Sequence, residues 1–135
     1  MDIEGGCYCG ALRYEAKGEA VFKGQCHCRE CRYVSGGSAN LIMGMLDSDF
    51  AYTNGAPAIF QRADLDEGVI REFCTTCGTH ILSRSTSAPG VALLKVGTLD
   101  DPSVYSGPDV AIYVSEKHDY HLVSDAIPQF ARLPE

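Results

Sequence analysis

The sequence predicts an all-β fold of mainly antiparallel strands with short helical turns. Short stretches rich in β-branched and aromatic residues recur between turn signals. No window of roughly a dozen residues holds an apolar stripe at the 3.6-residue helical period. No low-complexity tract, charge block or fixed-period repeat interrupts the 135 residues. That length suffices for one core, and residues 1–135 are expected to form a single domain.

Nine strands are expected in order. The first two, 11–16 and 20–25, flank Lys17-Gly18. The third, 39–45, follows Ser35-Gly36-Gly37, and the fourth, 50–53, ends before Asn54-Gly55-Ala56-Pro57. Such Gly, Pro and Asn clusters supply the backbone angles that turns require. The fifth and sixth, 58–62 and 69–74, flank Asp66-Glu67-Gly68. Ala88-Pro89-Gly90 separates 79–83 from 91–97, and Ser106-Gly107-Pro108-Asp109 precedes the ninth, 110–115. Any helix is expected to be a single turn, for instance at 29–33 or 124–127.

Eleven Lys and Arg against 18 Asp and Glu give a formal charge of −7. A nucleic-acid backbone or an anionic membrane surface would meet net repulsion. No run approaches the ~18 apolar residues of a membrane span. Met1-Asp2-Ile3-Glu4 opens with acids where a signal peptide carries bases. A soluble, cytoplasmic protein without nucleic-acid or membrane partners is expected.

The seven cysteines are an odd count that cannot close into disulfides within the chain. All fall in clusters: Cys7-Tyr8-Cys9, Cys26-His27-Cys28-Arg29-Glu30-Cys31 and Cys74-Thr75-Thr76-Cys77. Two thiolates one or two residues apart can grip one tetrahedral ion from a tight loop. Gly10 and Gly78, just past the outer clusters, fit the positive φ that such knuckles need. Pairing Cys7 and Cys9 with Cys74 and Cys77 gives a closed structural site, and Cys26, Cys28 and Cys31 remain as a tripod with an open position. Soft thiolates select zinc, copper(I) or iron–sulfur centres, and ferredoxin spacings are absent, so two Zn²⁺ per chain are expected. A thioredoxin-type Cys-x-x-Cys is disfavoured because it belongs beside a βαβ unit.

These stretches resemble the glutathione-dependent formaldehyde-activating enzyme family, also described as centromere-protein-V-like, within the Mss4-like zinc folds. The resemblance runs from Gly5-Gly6-Cys7-Tyr8-Cys9-Gly10-Ala11-Leu12-Arg13-Tyr14 through the middle cluster with Arg32 and Ser35-Gly36-Gly37. It continues through Arg71-Glu72-Phe73-Cys74-Thr75-Thr76-Cys77-Gly78-Thr79 and Gly97-Thr98-Leu99-Asp100-Asp101-Pro102 to Ile127-Pro128-Gln129-Phe130. It implies a zinc-stabilised β-sandwich or β-tent, with structural zinc on the outer clusters and catalytic-type zinc on the middle one. The implied activity is a carbon–sulfur lyase type joining glutathione and formaldehyde as S-(hydroxymethyl)glutathione. Many family members carry a tryptophan after the last strand; this chain has none, and Tyr120 stands in the comparable stretch.

A zinc on Cys26, Cys28 and Cys31 is expected to bind the substrate sulfur as a thiolate at its open position. Arg32, leading into a glycine loop, is either the cation that meets a substrate carboxylate or an exposed turn residue. His27 is expected around the ligands rather than among them, and His80 to pack near the outer clusters. His118 and His121 are expected in an exposed loop, and Asp64, Asp66 and Glu67 in a solvated turn. The alternative function is a non-catalytic zinc-stabilised binding module. Seven thiolates carry −7 and two zinc ions +4, which takes the formal charge from −7 to −10; an anionic substrate therefore needs a local cation.

Overall fold

The structure is a computed structural model that describes residues 2–134. Along the chain come β1 (Asp2–Gly6), β2 (Arg13–Lys17), β3 (Phe22–Cys26), helix α1 (Arg29–Ser35), β4 (Asn40–Leu46), β5 (Phe50–Asn54) and β6 (Ala58–Phe60). Then follow β7 (Ile70–Phe73), β8 (His80–Arg84), β9 (Val91–Lys95) and β10 (Val110–Ile112), with short 3₁₀ turns between several of them. One sheet has the order β1-β2-β5, and the other, of seven strands, runs β10-β3-β4-β9-β8-β7-β6.

All nine expected strands are present, with shifted ends, and β1 is an addition. Asp, Glu and Gly are poor strand formers, so composition hides β1. Pairing creates it: β1 is in register with β2 from Asp2↔Lys17 to Gly6↔Arg13, which turns Ile3 inward. Gly5 is required there, because a Cβ would lie 2.3 Å from the Thr98 carbonyl oxygen and 2.4 Å from the Tyr14 hydroxyl.

The pairing is antiparallel except that β10 lies parallel to β3. The outer edge of β10 is covered by the C-terminal segment, where Ala111 N–H donates to Pro128 O and Phe130 N–H to Ala111 O, both at 2.9 Å. Helix α1 has seven residues, about two turns rather than one. It stops where Gly36 takes the left-handed conformation, φ 79°. The segment 124–127 forms a turn, not a helix.

Strand alternation splits the large sheet into two chemically different faces. Met43 and Met45 of β4, Leu82 of β8, and Ala92 and Leu94 of β9 belong to one buried core with Ile3, Tyr14 and Ala16 of the small sheet. Burying a side chain the size of Leu82 or Leu94 contributes about 1.5–3 kcal/mol. The intervening positions do something else: Ile42 packs with Cys26, Cys31 and Ile112 in a second, smaller cluster. No helix among the described residues is long and apolar enough to cross a membrane.

Candidate metal centres and cavity

The β1–β2 loop and the β7–β8 turn each fold back on themselves. Gly10 N–H donates to Cys7 O at 3.1 Å, and Gly78 N–H to Cys74 O at 2.8 Å. Both glycines have positive φ, +83° and +78°. A bond from Tyr8 N–H to Thr79 Oγ1 at 3.1 Å joins the loops. The four sulfurs of Cys7, Cys9, Cys74 and Cys77 thereby lie within 4.8 Å of one another. Cys7 to Cys9 is 3.6 Å and Cys9 to Cys74 is 3.8 Å. A zinc tetrahedron with Zn–S bonds of about 2.3 Å has edges of roughly 3.8 Å, so the donor set fits the ion. The Thr79 hydroxyl beside Cys77 holds that thiol down to about 5.

The second cluster is built by the end of one strand and the start of a helix. Cys26 closes β3, Cys28 precedes α1 and Cys31 lies in its first turn, with its N–H donating to Cys28 O at 3.0 Å. These three sulfurs also lie within 4.8 Å of one another. Cys28 donates to Cys31 at 2.9 Å, and Asn40 Nδ2 reaches Cys31 at 3.6 Å. Hydrogen bonds from Cys26 and Cys28 hold the Cys31 thiol down to about 3, while Cys28 and Cys31 push Cys26 up. A thiol that gives up its proton readily beside two further soft donors suits a divalent ion.

The surroundings of the two clusters differ. Cys26, Cys28 and Cys31 line a cavity of about 590 Å³, within the usual range for small-molecule sites, whereas the four sulfurs of the other cluster lie outside it. Ile42, Leu93, Ile112 and Tyr113 supply apolar wall, and Arg29, Arg62 and Arg71 supply cations.

Arg32 is not among the lining residues. Successive residues of a helix are about 100° apart around its axis, which carries Arg32 away from the face that Cys31 shares with the cavity. Its guanidinium carbon lies 6.0 Å from the Tyr33 ring centroid, and its Nε is buried without a hydrogen-bond partner among the described residues.

His27, between Cys26 and Cys28 in sequence, is wholly buried. Its Nδ1 lies 3.2 Å from His121 Nδ1, and its Nε2 accepts from Gln25 Nε2 at 3.0 Å. His121 Nδ1 also accepts from the His118 N–H at 3.2 Å, and its Nε2 donates to Gly37 O at 2.9 Å. This pattern assigns both rings as neutral, with the His27 proton on Nδ1 and the His121 proton on Nε2. The expected exposed loop is thus half wrong: His118 is exposed, while His121 is buried and ties the tail to the cysteine loop. His80 stacks on Phe73 at 6.0 Å, beside Cys74 in sequence, and its Nδ1 is buried and unpartnered among the described residues.

Sequence reading also missed Lys95. It faces Ile42 across β9 and β4, is 8% exposed, and donates from Nζ to Ser83 Oγ at 3.1 Å. Burial pulls it down to about 8, against an upward push from Cys31. The available signal was alternation: a lysine in Val-Ala-Leu-Leu-Lys at a position sharing the Ile42 side.

A fold of two sheets carrying two cysteine clusters that could each hold a metal ion defines a mostly β domain with candidate metal centres. The family model of the glutathione-dependent formaldehyde-activating enzyme matches residues 2–116, and the chain belongs to that family. No curated protein matches the sequence. A crystal structure of a Rhodobacter sphaeroides protein shares the fold, with a TM-score of 0.61 and 19% identity over 93% of this chain and 98% of that one.

Proposed function

We propose that the chain is a zinc-dependent enzyme of the carbon–sulfur lyase type that joins a small thiol, glutathione, to formaldehyde as S-(hydroxymethyl)glutathione. The observation that carries this reading is the unequal placing of the sulfurs: three line the cavity and four lie outside it. Four protein ligands close a site, and three leave a position for substrate. A zinc bound to Cys26, Cys28 and Cys31 would supply a position that holds a thiol as thiolate. In the reaction the sulfur adds to the aldehyde carbon, a C–S bond forms, the C=O π bond opens, and the proton lost by sulfur returns to oxygen. Asn40 and α1 hold Cys31 in place, and Ile42, Leu93 and Ile112 keep bulk water from the sulfurs. Cys7, Cys9, Cys74 and Cys77 serve as the structural zinc site of a single domain spanning residues 1–135.

Metal content and glutathione titration of two variants test this. Cys28→Ser should lose one zinc of two, lose thiol binding and stay folded. Cys7→Ser should lose its fold, because structural zinc binding is folding free energy. If the two variants behave alike, the division of roles is wrong. Two zincs that ignore glutathione would favour the binding-module alternative.

A further inference from the structure

The cavity wall carries three sulfurs, three guanidinium groups and three carboxylates, those of Glu30, Glu67 and Glu116. Of its three guanidinium groups, Arg62 is held by Asp64, Nε to Oδ1 at 2.9 Å and Nη2 to Oδ2 at 2.5 Å. Arg29 has Glu30 at 3.9 Å and stacks on Tyr33, 5.2 Å from the ring centroid. Arg71 has neither an ion pair nor a hydrogen-bonded carboxylate among the described residues. It lies on β7 opposite Ser83, whose hydroxyl is backed by the Lys95 ammonium. Its sequence neighbour Glu72 points to the other side, where it accepts from Tyr52 and Arg84. A half-buried guanidinium with a second cation behind its neighbour and no anion of its own is an incomplete ion pair, and the cavity is where the anion would enter.

The sheet order also sets how many strands separate that cation from the sulfurs. Strand β7 is four steps from β3, across β4, β9 and β8. At roughly 4.8 Å per step, the path along a flat sheet would be roughly 19 Å, and a twisted sheet shortens it. A thiol with its carboxylate beside the sulfur, as in cysteine, is too short. A peptide thiol holds a terminal carboxylate up to roughly 10 Å from its sulfur, and the Arg71 side chain, reaching roughly 6 Å from its strand, covers much of the remainder.

We infer that Arg71 is the specificity residue of the cavity and binds a carboxylate at the far end of an extended peptide thiol whose sulfur lies at Cys26, Cys28 and Cys31. This rests on the function proposed above. It also transfers to Arg71 the task that sequence position suggested for Arg32.

The test measures binding of glutathione, glutathione diethyl ester and 2-mercaptoethanol to the zinc-loaded wild type and to Arg71→Met. The variant should bind glutathione at least tenfold more weakly, about 1.4 kcal/mol, and 2-mercaptoethanol unchanged. Wild type should prefer glutathione to its diester by a similar factor, and the variant should not. Equal glutathione affinity in wild type and variant overturns the Arg71 assignment and leaves the proposed function standing. A wild type that binds no thiol overturns both. If Arg71→Met does not fold, the acid-against-ester comparison on the wild type decides: equal binding of the two sinks the assignment.

Discussion

Replacing Lys95 by methionine keeps the side chain's length and removes its charge. The wild-type ammonium is almost wholly buried, with one hydrogen bond, to Ser83. Desolvation takes it from 10.5 to about 8. At about 1.4 kcal/mol per pH decade, the charged form costs the folded state about 3 kcal/mol relative to the unfolded chain. The unfolded chain holds the proton more tightly, so this cost is fully present below about pH 8 and fades as pH rises toward 10.5. Methionine avoids it and forfeits the Ser83 bond, worth about 1 kcal/mol. Lys95→Met should therefore be about 2 kcal/mol more stable at pH 7, roughly a 6 °C rise in Tm for a chain of this size. Scanning calorimetry of the metal-loaded proteins at pH 7 and pH 10.5 measures it, and the advantage should vanish at the higher pH. A variant that melts lower at pH 7, or an advantage that does not change with pH, refutes the reasoning. A confirmed gain would mean that the fold carries a net-costly cation on the sheet face that also holds Cys26, the kind of local expense found where stability yields to function.

Two further outcomes follow from packing away from the cavity. Glu72 is buried and accepts from Tyr52 Oη at 2.8 Å and Arg84 Nε at 2.9 Å, while Arg84 also pairs with Asp47. Arg84→Met should cost about 2–3 kcal/mol, since a buried carboxylate loses its cation, and adding Glu72→Gln should recover part of it; urea titration of the single and double variants is the check. Gly5→Ala should cost about 3 kcal/mol, because backbone and a buried ring occupy the Cβ position, whereas Gly78→Ala meets open space and pays about 1 kcal/mol for its φ of +78°. Equal losses would show that the crowding at Gly5 relaxes and does not carry the expected cost.

The strands were legible because stretches rich in β-branched and aromatic residues lie between Gly, Pro and Asn turn signals, both of them local features of the chain. The β1 strand was not, because Asp2, Glu4 and the two glycines carry no strand signal and only pairing with β2 orders them. The parallel placing of β10 depends on the tail that covers its outer edge, a contact invisible to local pattern. His121 was misplaced for the same reason: its partners Gly37 and His27 are distant in sequence.

The cysteine grouping belongs to the sequence. A ligand pair one or two residues apart is a local device, and the count of seven divides into clusters before any fold is known. Which cluster faces an open space belongs to the tertiary structure. Adjacency to Cys31 left Arg32 as either a substrate cation or an exposed turn residue, and a helix turns about 100° per residue and carries Arg32 aside from the cavity. Sheet register instead puts Arg71, Ser83 and Lys95 on the side of Ile42 and Cys26. Spacing along the chain sets which atoms can share one ion, because that reach is a few ångströms; strand order sets which cation can meet the other end of the same ligand.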